Sequence, residues 1–166
     1  MLLWLAPSAM EINVLIDEHF EGCPEVGWLQ WVAEQVLVAQ NAGSEVELGL
    51  VITGQERVQQ LNLSYLGRDR PTDVLAFSAT EEIGADLPPF VAPPDGVLHL
   101  GEVIISYPQA VIQAGEHHHS VKKEIAILII HGILHLLGYE HDKPELESIM
   151  SAREQEILSL IEEELK

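Results

Sequence analysis

Three histidines, His131, His135 and His141, with Gly138 between the last two, constrain this chain more than any other feature. Two of them stand inside the most apolar stretch, Ile125 to Leu137. Residues four apart on a helix share one face, about 5–6 Å between Cβ atoms, so His131 and His135 can grip one ion from a rigid base. A glycine just past a helix tolerates the left-handed backbone that reverses the chain, so Gly138 returns His141 toward the other two rings. Unpaired polar rings in an apolar helix are costly, which argues against a chance meeting. Three imidazoles suit zinc or another late first-row divalent ion, and they leave a fourth position for water, the layout of a catalytic site.

Metzincin proteases share this spacing and the glycine, but they carry a glutamate directly after the first histidine as general base. Gly132 fills that position here. The ligand set is present without the peptidase signature, so a metallopeptidase is a weaker alternative. His117-His118-His119 is a second group among the 8 histidines. Consecutive residues point in different directions and do not easily share an ion, so the triplet reads as a polar helix entry, with a metal role as the weaker reading and nickel scavenging, as by an affinity tag, a further property. His19 and His99 have no partner visible in the sequence.

The rest of the chain supplies a frame for that helix. Glu11 to Asp17 alternates apolar and polar residues as a half-buried strand does. Trp28, Trp31, Val32, Gln35 and Val36 recur at helical intervals up to Asn41-Ala42-Gly43, with the tryptophans as expected core anchors. Glu45 to Thr53 reads as a second strand, and Gln55 to Tyr65 as a short helix turning Val58, Leu61 and Leu63 inward, closed by Gly67. A turn at Arg68 to Pro71 leads to a brief strand, Asp73 to Phe77. Thr80 to Gly96 holds four prolines without periodicity and is expected to be a loop, either plain or functional. Val97 to Ser106 alternates again, Pro108 suits the first turn of a helix through Ala114, and Ser120 opens the histidine helix. In the last helix, from Pro144, Leu146, Ile149, Met150, Arg153, Ile157, Leu160 and Ile161 follow one face. The expected fold is α+β: a small mixed four-stranded sheet packed with about five helices, with a zincin-like metal helix at its centre.

At 166 residues the chain suits one domain, taken as 11–166, with residues 1–10 as a flexible extension that lacks the basic start and cleavage pattern of a signal peptide. No apolar run spans a bilayer, and the single cysteine, Cys23, permits no internal disulfide; the expected location is the cytoplasm. The 8 basic residues against 27 acidic ones give a formal charge of −19, which repels nucleic acid at long range. Arg57, Arg68 and Arg70 nevertheless lie close together in sequence, so a local basic patch on an acidic body remains open.

Three blocks together resemble the YbeY family of bacterial endoribonucleases that mature ribosomal RNA. Leu61-Asn62, Tyr65, Asp69, Pro71-Thr72-Asp73-Val74-Leu75 and Phe77 look like its central motif. Leu100 to Ile105 resembles its next strand, and His131 to His141 its histidine motif, all in family order. The resemblance implies zinc on His131, His135 and His141, one ion per chain with another divalent metal as alternative. It also implies cleavage of single-stranded RNA, chiefly rRNA at the 3′ end of the small-subunit species, ribosome quality control, and contact with the ribosome or ribosomal proteins. Leu66 stands where the family commonly has an arginine, Glu102 and Glu140 stand where it usually has aspartate, and Ala76 and Ser78 replace a serine and a proline. Candidate catalytic residues are therefore Arg68 and Arg70 as cations, and Asp73, Glu102 and Glu140 as bases or as carboxylates that orient a ligand histidine. A weakly active or non-catalytic ribosome assembly factor is the alternative that Leu66 motivates.

Overall fold

The computed structural model of the chain describes residues 10–43, 45–69, 72–79 and 97–165. The elements run β1 (Glu11–Ile16), α1 (Val26–Ala39), β2 (Val46–Thr53), α2 (Gln55–Leu66), β3 (Val74–Ser78), β4 (Leu98–Ser106), α3 (Tyr107–Glu116), α4 (Val121–Leu136) and α5 (Pro144–Ile161), ending in a 3-10 turn, Glu162–Leu165. The sheet order is β1-β2-β4-β3. β1, β2 and β4 are parallel, and β3 pairs antiparallel to β4 at the edge. The α+β expectation is met among the described residues, with four strands in a mixed sheet and five α-helices.

Strand alternation decides which face does what. Val46, Leu48, Leu50 and Ile52 of β2, with Val103 and Ile105 of β4, are buried in the main core with α1, α3, α4 and α5. The opposite face carries a smaller cluster in which Val58 of α2 meets Leu75 and Ile104, flanked by Val51, Leu61 and Phe77. α4 packs on the main face over β4 and the edge strand β3. Gly132 lets it approach: a Cβ there would stand 2.6 Å from Val103 Cγ1. Gly101 is the other enforced glycine, with φ +125° where β4 passes so near β3 that a Cβ would meet the Phe77 carbonyl at 2.0 Å. The β2–β4 register slips there, between Glu47 and Leu48.

Several expected faces are rotated by one position. In α1 the fully buried residues are Leu29, Val32, Ala33, Val36 and Leu37, while Trp28 and Trp31 are only half-buried at the edge of the core. Trp28 instead receives Lys122 Nζ 5.1 Å above its ring. In α2, Asn62 is buried beside Val58, and Leu63 faces outward at 48 % exposure. In α5, Ile149 and Leu160 are exposed, and Leu158 joins Met150, Ile157 and Ile161 inside. The cause is common to all three: in a helix apolar on more than one side, the partner rather than the period selects the buried stripe. The loop expected at 80–96, Arg70, Pro71 and residues 1–9 of the expected extension lie outside the described residues; Met10 packs against the core.

Candidate metal centre and its cleft

α4 begins where the Ser120 hydroxyl accepts the Lys123 N–H at 3.1 Å, and it runs for 16 residues along the sheet. Its apolar face, including Ile125, Ile129, Ile130, Ile133 and Leu134, is buried, and that anchorage fixes the rotation of the helix. His131 and His135 consequently emerge together, half-buried, from the side next to β3. Past the helix, Gly138 takes φ +103°, and the N–H groups of Gly138 and Tyr139 bond back to the His135 and Leu134 carbonyls at 3.0 Å. The reversal brings His141 round as the sequence predicts. Ring centroids lie 4.7 Å apart for His131–His135, 4.7 Å for His135–His141 and 5.5 Å for His131–His141. One ligand nitrogen from each ring falls within 4.8 Å of the others, so the cluster could bind a metal ion.

The surroundings suit such an ion. Burial, reinforced by the charges of His131 and His141, pushes the His135 imidazole below its ordinary value of 6.5 and favours the neutral, ligating form. His131 Nδ1 lies 3.2 Å from Glu154 Oε2 of α5, a carboxylate placed to orient the ring. Glu154 has no signal in the sequence: it is one glutamate among many on α5, and only the α4–α5 packing brings it to His131. A donor set of imidazoles alone matches a borderline d-block cation better than magnesium or calcium, which prefer oxygen.

The three rings line a cleft of about 540 Å³ whose other walls include Leu66, Arg68, Asp73, Ser78 and Glu140. Arg68, Asp73 and Glu140 thus share the cleft with the histidines, and Arg68 and Glu140 are exposed. Asp73 is already engaged. Its Oδ1 accepts the Val74 N–H at 2.8 Å and its Oδ2 accepts Gln113 Nε2 at 3.3 Å, which ties the start of β3 to α3. Glu102 lies elsewhere, on the opposite face of the sheet, in a groove with Glu47, Gly49 and His99. The parity of β4 explains this, since Val103 points at α4 and its neighbour must point away. Arg57 pairs with Asp17 at 3.6 Å and does not line the cleft, so the suggested cluster with Arg68 does not form there.

His99, for which the sequence shows no partner, pairs with Glu47 at 3.0 Å across β2 and β4. The histidine triplet differs from expectation. His117 and His119 do not diverge as a polar helix entry would; both turn to Glu124 of α4, at 2.9 and 2.6 Å from its Oε1. The chain reverses at His118, with φ +56°, and that turn brings the rings on either side of it to the same carboxylate.

The comparisons agree with this architecture. The family model described as Endoribonuclease YbeY matches residues 24–162. A Dehalococcoides mccartyi protein named Endoribonuclease YbeY is 48% identical over 160 residues, covering 95% of this chain and 93% of its own. One of the same name from Roseiflexus sp. strain RS-1 is 37% identical over 155 residues, covering 93% and 94%. The solution structure of TM1509 from Thermotoga maritima superposes with a TM-score of 0.54 at 22% identity, over 92% of this chain and 93% of that one, a likeness of fold. Fold, histidine cluster and sequence kinship converge, and the chain belongs to the YbeY family.

Proposed function

We propose that this chain is a zinc-dependent endoribonuclease that cuts single-stranded RNA during ribosomal RNA maturation in the cytoplasm. The observation that supports it most is the convergence of His131, His135 and His141 in a cleft that also holds Arg68. Zinc bound there supplies a Lewis acid for a phosphate oxygen and a water acidified toward neutral pH. The protein's own groups do the rest. Arg68, exposed on the wall, meets the phosphodiester with a planar fork of donors and offsets the charge that builds on the reacting phosphorus. Asp73, held by Val74 N–H and Gln113, presents a fixed carboxylate that can take a proton from the attacking water or the 2′-hydroxyl. Glu140, next to His141, is the second carboxylate within the cleft.

Gly132 argues against a peptidase. The glutamate base of the metzincin pattern would occupy this position, and here the sheet fills it, because a Cβ already collides with Val103. A ribosome assembly role with little catalysis is favoured by Leu66, which places an apolar side chain on the cleft wall. The two separate in one assay: a labelled single-stranded RNA and its duplex are incubated with the protein, with chelator, and with chelator followed by zinc. Cutting of the single strand only, lost with chelator and restored by zinc, supports the nuclease; binding to ribosomal subunits without metal-dependent cutting supports the assembly factor.

A further inference from the structure

We propose that His117, His119 and Glu124 form a second divalent-cation site, for zinc or a similar d-block ion, at the junction of α3 and α4. It uses none of the residues of the candidate metal centre and does not depend on the nuclease reading. The backbone builds it. α3 stops at Glu116, His118 adopts a left-handed φ of +56°, and His118 and His119 bond back to the Gly115 and Ala114 carbonyls. A non-glycine residue in that region is uncommon, and the reversal turns the side chains on either side of it toward one point. Ser120 then starts α4, which carries Glu124.

Glu124 is the group that asks for a cation. Its side chain is 2 % exposed, and its ion-pair partners are His117 and His119. His117 Nδ1 and His119 Nε2 stand 2.9 and 2.6 Å from the same oxygen, Oε1, so two ring nitrogens and a buried carboxylate already converge on one point, the donor set of a d-block ion. The three ligand atoms lie within 4.8 Å of one another, as in the histidine triad, and the His117 and His119 centroids are 5.4 Å apart, inside the 4.7–5.5 Å range of that triad. Glu124 Oε2 stays bonded to Gln113 Nε2 at 3.0 Å. His117, 55 % exposed, opens the site to solvent and leaves room for water as the fourth ligand. Two nitrogens and one carboxylate oxygen select zinc-like ions over magnesium and calcium.

The site also reaches the cleft, because Gln113 Nε2 contacts both Glu124 and Asp73. The test counts zinc by elemental analysis, after dialysis, in the full chain without an affinity tag. Wild type is compared with His135→Ala, with the double variant His117→Ala/His119→Ala and with the triple variant, each checked for fold by circular dichroism. The expected counts are two, one, one and none. Glu124→Gln, which keeps a partner for Gln113 but removes the charged ligand, should lose the second equivalent on dialysis. Cobalt in place of zinc should give the visible absorption of a four-coordinate ion in His135→Ala and lose it in the triple variant. One equivalent in wild type that disappears in His135→Ala overturns the second site and spares the first. One equivalent that disappears only in the double variant upholds the second site and removes the first, and no zinc in wild type overturns both.

Discussion

Gly132 lies so close to β4 that a Cβ at this position would stand 2.6 Å from Val103 Cγ1. This contact sets the depth at which α4 sits on the sheet, and therefore how far His131 and His135 protrude beside β3. Gly132→Ala should gain about 1 kcal/mol in helix propensity and lose about 1–3 kcal/mol to overpacking, a net loss of stability. Adding Val103→Ala should make the combined loss smaller than the sum of the two single losses, read by urea unfolding. Additive losses would mean that the contact is not the constraint.

Glu154 belongs to a different helix from any candidate ligand, yet its Oε2 lies 3.2 Å from His131 Nδ1. Such a carboxylate fixes the tautomer and direction of a ligating ring. Glu154→Ala should lower zinc affinity roughly 10- to 100-fold while leaving the circular dichroism spectrum unchanged. Competition against a colorimetric chelator measures it, and an unchanged affinity would assign Glu154 to the surface.

Arg68 stands on the cleft wall where Leu66 supplies no charge. Arg68→Ala should reduce the cleavage rate by at least about 10-fold, with zinc content intact, and Arg68→Lys should recover only part of it, because a point charge cannot replace a bidentate fork. Equal rates in all three proteins would remove Arg68 from the mechanism.

Acid should unfold the chain partly through Glu124. Burial alone would raise this carboxyl, but hydrogen bonds from His117, His119 and Gln113, with the His117 charge, outweigh it and hold it below its ordinary 4.5. A carboxyl depressed on folding contributes stability that is present above its unfolded value and lost as pH falls through the folded one. Wild type should therefore lose Tm more steeply than Glu124→Gln as pH falls below about 4.5, and parallel curves would contradict this.

The sequence exposed the helix, the glycine turn and the three converging rings because they lie within eleven consecutive residues, where local geometry governs. It also indicated the mixed sheet, two of whose strands, at Glu11 to Asp17 and Val97 to Ser106, alternate clearly. What it hid depends on packing between distant elements. Glu154 meets His131 only through the α4–α5 contact, and His99 finds Glu47 only because β2 and β4 are neighbours. Leu63, Ile149 and Leu160 looked like core residues by period, but the surfaces that would cover them are absent at those positions among the described residues. Glu102 lies in the strand block that resembles the family, but strand parity sends it to the far face.

The central claim is that His131, His135 and His141 hold the ion that makes this cleft cut RNA. Purified wild type and His135→Ala are compared for cleavage of a labelled single-stranded RNA, with metal content and fold recorded on the same samples. The account predicts that the folded variant loses the zinc of this centre and its cutting together. A variant that has lost that zinc yet cuts as fast as wild type, or a zinc-loaded wild type that cuts no better than the variant, would contradict it.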